Sequence, residues 1–362
     1  MNSELWTIIA ATGSYIPTRI VKNEDFLKND FHDANGNKIA NNPDTIHKFE
    51  EITGIKERRW ADAHLVTSDI AFYAAEQAFN SSGIDKETVD YIIIAHNFGD
   101  VKFNNRRSDF VPSLAARVKA RLGIKNPYMV AYDLPFGCPG WLQAVMQANF
   151  YIKSGVAKRA LVIGAEILSR VSDPHDRDSM IYADGAGAVI FDGVHSVNPI
   201  GVLSQISRSD TITHSRMLWM DKSYNPNYPD NQLFLKMQGH NLYKYALQIV
   251  PGLIKESLDK AGVNLKDIKK VFIHQANNKM DEEILKRLFD MYGIKNIEQV
   301  HIDNVMPMTI SWLGNSSVAT LPTLLDLMLK NKIKGHEVNK GDTAVLASVG
   351  AGMNVNAMVY KF

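Results

Sequence analysis

The sequence predicts an α/β fold made of two similar halves. Apolar runs that are typical of strands covered on both faces alternate with helix-like stretches along all 362 residues. Alternation of this kind favours sheets flanked by helices over an all-β protein. The clearest candidate strands are residues 6–13, 91–95, 128–132, 160–164 and 271–273.

Two distant stretches resemble each other. Residues 74–95 and 254–274 each contain a helix, a glycine at the helix end, a short polar turn and a buried strand. Gly83 pairs with Gly262, an offset of 262 − 83 = 179, which is close to half the chain. A repeat of this length indicates duplicated structural units.

A second similarity joins residues 158–165 to 342–349, in the same chain order as the first. The alternative is that all α/β units look alike, but two ordered similarities favour duplication. We therefore expect one half over residues 1–200 and the other over 201–362.

Three segments interrupt the pattern and are predicted to be surface loops or insertions. Residues 33–44, 98–109 and 223–231 are rich in Asn, Gly, Pro or charged side chains.

Composition excludes several classes of protein. Forty basic residues oppose thirty-nine acidic ones, which argues against nucleic-acid binding through phosphates. One cysteine excludes an internal disulfide or a site built from several thiolates, and the scattered histidines predict no metal site. The first residues do not look like a targeting signal and no apolar run could span a membrane, so we expect a cytoplasmic protein.

The single thiol occupies a promising position. Cys138 lies between a predicted strand and an apolar helix predicted from about Pro139 to Lys153, with Pro139 at the first helical position. Unpaired N–H groups at a helix N-terminus stabilise a thiolate, which is the form that acts as a nucleophile. The alternative is that Cys138 is a small buried hydrophobe, and local context leaves both interpretations open.

Two further side chains are candidate partners of a nucleophile. His274 ends a buried strand, at the sheet edge where ligands bind in open α/β folds, although it could be a hydrogen-bonded core residue. His96 holds nearly the same position in the first half. Asn315 follows a glycine and precedes a helix, where capping is the simpler interpretation. The glycines in 184–188 and 350–352 lack a phosphate-binding fingerprint; they predict close backbone packing, and the second group could supply an oxyanion N–H.

Taken together, these motifs resemble 3-oxoacyl-acyl-carrier-protein synthase III, the initiating ketosynthase of the thiolase superfamily. The resemblance runs almost end to end. It rests on residues 13–17, 53–58, 173–177, 184–188, 237–239, 274–277, 314–317 and 350–352, arranged around Cys138. It implies a thiolase-like fold of two duplicated α/β halves in five αβαβα layers, and a homodimer.

The resemblance implies a Cys-His-Asn site. Cys138 takes an acyl group from a thioester, and His274 with Asn315 holds the thioester carbonyl of a malonyl-type donor during decarboxylation. The N–H groups of Cys138 and of the Gly350–Gly352 turn form the oxyanion hole. No cofactor is implied beyond acyl-CoA or acyl-carrier thioesters as substrates.

The resemblance also implies residues that bind coenzyme A or pantetheine and the carrier protein. Arg177, His240 and Asn277 match the first group, whereas Lys48 and Ile52 stand where the family usually offers Trp and Arg, respectively. Lys244 and Lys279 match basic positions of the carrier-protein surface, and Lys286 and Arg287 continue that surface; the alternative is an ordinary solvated helix face.

The expected function is therefore a decarboxylative condensing enzyme in fatty-acid initiation or in specialised lipid or polyketide synthesis. One alternative is condensation of two β-ketoacyl thioesters, as in alkylresorcinol-forming relatives, or acyl transfer to another nucleophile. An alternative of another class is a non-catalytic partner subunit that binds acyl carrier protein, although all three active-site residue types are present. Pro139 and the segment 98–109 depart from the usual family pattern, and the segment is a candidate wall of the acyl pocket.

Overall fold

The computed structural model describes residues 3–362 and has the expected α/β composition. Its strands are β1 (Glu4–Tyr15), β2 (Arg19–Lys22), β3 (Glu57–Trp60), β4 (Tyr91–Ala95), β5 (Asp100–Lys102), β6 (Asn105–Asp109), β7 (Val130–Leu134), β8 (Arg159–Ile167), β9 (Asp184–Ser196), β10 (Gly201–Ser209), β11 (Leu218–Asp221), β12 (Phe234–Met237), β13 (Ile268–Ile273), β14 (Thr343–Gly350) and β15 (Asn354–Lys361).

The helices connect and cover these strands. They are α1 (Asn42–Thr53), α2 (Thr67–Ser82), α3 (Leu114–Arg121), α4 (Gly140–Lys153), α5 (Gly239–Ala261), α6 (Asn278–Asp290), α7 (Gln299–Val305), α8 (Ile310–Leu313) and α9 (Thr320–Leu329). Short 3-10 turns lie between some of them, including Ser317–Ala319 just before α9. Among residues 3–362, no helix combines the length and the apolar character needed to cross a membrane.

The two large sheets repeat one topology. The first has the order β1-β9-β8-β4-β7, and the second has the order β10-β15-β14-β13. In each sheet two antiparallel pairs are followed by a parallel pair, β4 with β8 and β13 with β14. Strands β8 and β14, which contain the second sequence similarity, hold equivalent places, so the predicted duplication is confirmed.

The layers follow from which helices contact which sheet. Helices α2 and α3 cover one face of the first sheet, and α5 with α6 covers the outer face of the second. Helices α4 and α9 lie between the sheets, and their apolar side chains form one buried cluster with strands of both. The result is the predicted five-layered αβαβα arrangement.

A glycine lets the central layer approach the first sheet. A Cβ atom at Gly187 in β9 would lie 2.6 Å from the backbone nitrogen of Thr323 in α9, closer than real Cβ contacts allow. The close backbone packing predicted for residues 184–188 is therefore confirmed at Gly187, whereas a Cβ atom at Gly185 would make only an ordinary contact with Ser316, at 3.6 Å.

Some predicted boundaries differ from the structure. The strand expected at 128–132 is β7, two residues further on, because Val130 is the first residue that pairs with β4, while Tyr128 remains 89% exposed. The segment 98–109, expected to be a loop, contains the hairpin of β5 and β6. The boundary between residues 200 and 201 falls just before β10 and stays a prediction.

Candidate active site

Cys138 occupies the turn between β7 and α4. The chain turns at Gly137, whose φ of 66° is left-handed, and the backbone N–H of Gly140 donates to the carbonyl of Gly137 at 2.9 Å. Pro139 is the N-cap rather than the first helical residue, because its carbonyl accepts the first helical bond, from Gln143. The thiol thus lies at the N-terminal end of a buried helix, as predicted.

The environment of the thiol opposes ionisation more than its sequence position suggests. Burial raises the pKa of Cys138 to about 11, and the negative charge of Glu166 adds to this rise. A hydrogen bond from Ser317 Oγ to Cys138 Sγ, at 3.3 Å, acts in the opposite direction. The sequence predicts a stabilised thiolate from the helix terminus alone; in the structure the cost of desolvation is the larger effect.

His274 follows β13 at the carboxyl end of that strand. Its backbone N–H donates to Ala347 in β14, and its imidazole is almost fully buried. Burial lowers the pKa of the ring to about 4, so the imidazole is neutral near pH 7. Nδ1 has no hydrogen-bond partner in residues 3–362.

Asn315 is fixed before the 3-10 turn that leads into α9. Its backbone pairs with the first half of the chain, through Asn315 N to Ile181 O and Ala183 N to Asn315 O. Its side-chain Oδ1 accepts a hydrogen bond from the backbone N–H of Ser317 at 2.8 Å. Because the carbonyl end of the amide is thus occupied, the N–H₂ end remains as the donor for a ligand. The N-cap of this 3-10 turn is Ser316, so Asn315 is not the helix cap expected from the sequence; its amide oxygen instead closes a local turn onto Ser317.

One largely apolar cavity of about 230 Å³ contains all three predicted catalytic side chains. Strands β11 and β12 and helices α5 and α6 contribute hydrophobic residues to its wall. The lining residues include Cys138, His274, Asn315, Ser317, Asn97, Phe98, Tyr182, Leu218, Trp219, Met220, Leu235, Met237, Leu242, Met280, Gly350 and Ala351. Phe98 lies at the start of the segment for which we expected a role in the acyl pocket.

The C-terminal glycine turn packs against the nucleophile turn. A Cβ atom at Gly350 would lie 2.7 Å from the backbone nitrogen of Cys138, so only glycine fits at that contact. Gly350 and Ala351 line the cavity, whereas Gly352 does not. The structure thus brings two of the three residues of this turn to the predicted oxyanion hole.

The residues expected to bind coenzyme A or pantetheine are more scattered. Arg177 and His240 are exposed and are not part of the cavity lining. Asn277 is the N-cap of α6, and its side chain accepts a hydrogen bond from Met280 N at 3.0 Å. Lys48 and Ile52 lie exposed on α1, which packs against α6.

The expected carrier-protein surface lies on two neighbouring helices. Lys244 is exposed on α5, and Lys279 is exposed in the first turn of α6. Lys286 is half-buried, and Arg287 is paired with Glu283 at 3.0 Å and reaches Leu247 O at 3.4 Å. Lys244 and Lys279 are therefore the most available charges of the four.

Three polar residues near the thiol were missed as functional candidates in the sequence. Ser317, Asn97 and Glu166 form a chain of hydrogen bonds that ends at Cys138. One signal was present: Ser317 is 317 − 138 = 179 residues from Cys138, the offset that separates the repeated glycines. His96, the counterpart of His274, instead packs near Asp133 with its Nε2 at 3.1 Å from Oδ2.

Within the described residues, one group of side chains has the proximity that a metal ion needs, namely Asp30, His32 and His175. Its groups already have other partners. The Asp30 carboxylate pairs with Lys38 at 2.6 Å, and the Nδ1 atoms of both histidines hydrogen-bond to the Asp30 carbonyl. The group lies outside the cavity lining.

Comparison with known proteins agrees with this geometry. Residues 132–209 match the family model for 3-oxoacyl-[acyl-carrier-protein (ACP)] synthase III, and residues 258–362 match the model for its C-terminal part. The chain is 31% identical to beta-ketoacyl-[acyl-carrier-protein] synthase III 1 of Vibrio vulnificus, covering 99% of this chain and 100% of that protein. It is also 31% identical to the synthase III of Ruegeria pomeroyi, over 98% of each.

Solved structures show the same fold. The synthase III of Thermus thermophilus matches with a TM-score of 0.79 at 30% identity, covering 98% of this chain and 99% of that one. The Aquifex aeolicus synthase III matches with a TM-score of 0.78 at 28% identity, covering 98% of this chain and all of that one. With its thiolase-like layers, its cavity and its full-length relatives, the chain belongs to the 3-oxoacyl-[acyl-carrier-protein] synthase III family and is an acyl-transferring condensing enzyme.

Proposed function

We propose that the enzyme joins an acyl group held on Cys138 to a malonyl unit carried by acyl carrier protein, with loss of CO₂. The observation that carries this proposal is the meeting of Cys138, His274 and Asn315 in one largely apolar cavity. A covalent intermediate divides one difficult condensation into two easier steps.

In the first step the Cys138 thiolate attacks the carbonyl carbon of an acyl thioester. Negative charge then builds on the carbonyl oxygen. The N–H of Cys138 and an N–H from the Gly350–Gly352 turn are the proposed donors to this oxygen; the packing of Gly350 against Cys138 supports this role.

In the second step His274 and Asn315 bind the thioester carbonyl of the malonyl donor. As CO₂ leaves, charge develops on that oxygen, and donors aimed at it lower the barrier. A neutral imidazole and a carboxamide N–H₂ group suit this task, because each can donate a hydrogen bond to the developing enolate oxygen. The carbanion then attacks the acyl-Cys138 carbonyl, the bond between the acyl carbon and the sulfur breaks, and Cys138 leaves as the thiolate.

Two observations support the proposed substrates. The lining of the cavity by Leu218, Trp219, Met237 and Leu242 suits a hydrocarbon acyl chain. Exposed Lys244 and Lys279 suit an acidic carrier protein, which basic groups steer into position. We propose a role for Arg177, His240 and Asn277 beside the pantetheine arm, and no cofactor beyond the thioesters themselves. The enzyme is proposed to act in the cytoplasm.

We also propose a homodimer joined at β7. This strand is the edge of the first sheet, and Val130 in it is 47% exposed while Phe150 in α4 is 59% exposed. An edge strand beside exposed apolar side chains is a surface that proteins normally cover. Sedimentation of the wild type and of Val130→Lys tests this: the wild type is expected to sediment as a dimer and the variant as a monomer.

Intact-protein mass spectrometry tests the catalytic proposal. The enzyme is incubated with acyl-coenzyme A and acyl-carrier thioesters, and malonyl-carrier protein is added afterwards. We expect a mass increase of one acyl group on the wild type, none on Cys138→Ala, and loss of the adduct with release of a 3-oxoacyl product after the addition. An equal mass increase on Cys138→Ala would contradict the assignment of the nucleophile.

A further inference from the structure

The sulfur of Cys138 has a hydroxyl neighbour from the other half of the molecule. Ser317 Oγ lies 3.3 Å from Cys138 Sγ, and Ser317 begins the 3-10 turn that leads into α9. Helices α4 and α9 are the central layer, so the turns that precede them meet across the duplicated halves.

The direction of this hydrogen bond follows from the next residue in the chain of contacts. Asn97 Nδ2 lies 3.2 Å from Ser317 Oγ, and an amide N–H₂ group can only donate. The Ser317 oxygen therefore accepts from Asn97. Its single proton is left free to point at the sulfur.

Glu166 fixes the orientation of Asn97. One carboxylate oxygen, Oε2, accepts hydrogen bonds from Asn97 Nδ2 at 2.6 Å and from Asn97 N at 2.9 Å. Glu166 is fully buried, and its other oxygen has no partner in the part of the chain that the structure describes. A buried carboxyl group that accepts both of these hydrogen bonds from Asn97 indicates that the orientation of the Asn97 amide is important for the contact with Ser317.

The backbone of Ser317 also carries a functional contact. Its φ is 53°, in the left-handed region that residues other than glycine rarely adopt. In this conformation its N–H holds Oδ1 of Asn315 while its hydroxyl contacts Cys138. A single residue thus touches both the nucleophile and the proposed carbonyl-binding amide.

We propose that Ser317 is a further catalytic residue: its hydroxyl donates a hydrogen bond that stabilises the Cys138 thiolate, and Asn97 and Glu166 are positioning residues for that hydroxyl. A charge-assisted O–H···S bond offsets part of the desolvation that the buried thiolate suffers. In the acyl transfer a bond forms between Cys138 Sγ and the acyl carbon, and the bond between the acyl carbon and the thioester sulfur of the carrier breaks. The proton lost by Cys138 ends on the departing carrier thiol. This proposal rests on the proposed role of Cys138 as the nucleophile.

The pH dependence of thiol alkylation tests the proposal, because Cys138 is the only cysteine in the chain. Iodoacetamide reacts with the thiolate, so the midpoint of the rate against pH reports the pKa of Cys138. The variants are Ser317→Ala and Ser317→Gly; glycine tolerates the left-handed backbone, which guards against a loss of structure. Ser316→Ala is the matched control, since Ser316 is also buried and makes no cap hydrogen bond with its side chain.

We expect the alkylation midpoint to rise by about one pH unit in both Ser317 variants and to stay unchanged in Ser316→Ala. The rate of acyl-enzyme formation at pH 7 should fall about tenfold in the same two variants. A wild-type alkylation profile in both Ser317→Ala and Ser317→Gly would overturn the proposal. If the wild type alkylates at Cys138 but never forms an acyl-enzyme, the proposed function fails, and the role of Ser317 as a thiolate donor is still decided by the alkylation profiles.

Discussion

The carboxamide of Asn315 is held by the backbone of Ser317, whose N–H donates to Oδ1 at 2.8 Å. This contact leaves Nδ2 as the donor that we propose binds a substrate carbonyl in the cavity. We expect Asn315→Asp to lower the decarboxylation of malonyl-carrier protein by about a hundredfold or more, because a carboxylate repels the developing enolate and cannot donate. Acylation of Cys138, measured by intact mass, should change little.

The control for this prediction is Asn315→Ala, which removes the donor without adding charge. We expect an intermediate loss of decarboxylation. Equal rates for the Asp and Ala variants would show that charge at this position is irrelevant to the enolate.

The pKa of His274 predicts how decarboxylation depends on pH. Burial lowers this pKa to about 4, so the neutral imidazole predominates from pH 8 down to about pH 5. Protonation of His274 should therefore not change the rate in that range. The measurement is malonyl decarboxylation by Cys138→Ala, in which the thiol does not titrate. An inflection near pH 6.5 that disappears in His274→Gln would contradict the prediction.

Asp281 in α6 predicts a pH-dependent stability. Both carboxyl oxygens are buried and lack partners among residues 3–362, and burial raises the pKa well above its usual value. A raised pKa means that the folded protein binds this proton more tightly than the unfolded chain does. Stability is therefore lost as the pH rises above the unfolded pKa near 4 and on through the folded pKa.

We therefore expect Asp281→Asn to raise the free energy of unfolding at pH 7 and to give less gain near pH 4. Denaturant titrations of both proteins at each pH measure the difference in their free energies of unfolding. The contributions of other titrating groups, which both proteins share, cancel in that difference. Asp290→Asn, at the exposed end of the same helix, is the control and should have no such dependence. A gain that is the same at both pH values would rule out ionisation as its cause.

Charge reversal at Lys279 should affect carrier-bound substrates more than coenzyme A thioesters. Lys279 is exposed and has no ion-pair partner in the described part of the chain, so Lys279→Glu removes a charge available to an acidic protein. We expect KM for malonyl-carrier protein to rise about tenfold, with little change for acyl-coenzyme A. Arg287→Glu should have a smaller effect, because Arg287 is already paired with Glu283.

Lys334→Glu is the matched control, since this exposed lysine lines a separate groove. Equal rises in KM for both substrates in Lys279→Glu would indicate a disturbed active site rather than docking.

Much of the fold could be predicted because its signals are local. The buried strand at residues 91–95 agrees with the structure residue for residue, and the C-caps of helices α2 and α5 are Gly83 and Gly262, both left-handed. The strand before Cys138 was placed two residues early, because edge pairing with β4 sets its start and leaves no trace in composition.

The sequence by itself determined the duplicated α/β architecture and a lone thiol at a helix N-terminus, because apolar periodicity and turn residues act over a few neighbouring positions. The tertiary structure alone decided how deeply that thiol is buried and what surrounds it. Ser317, Asn97 and Glu166 are far apart in the chain and reach Cys138 only when the two halves pack around α4 and α9. Desolvation and hydrogen bonding depend on such packing, so the environment of Cys138 is set by residues that no local sequence pattern could identify.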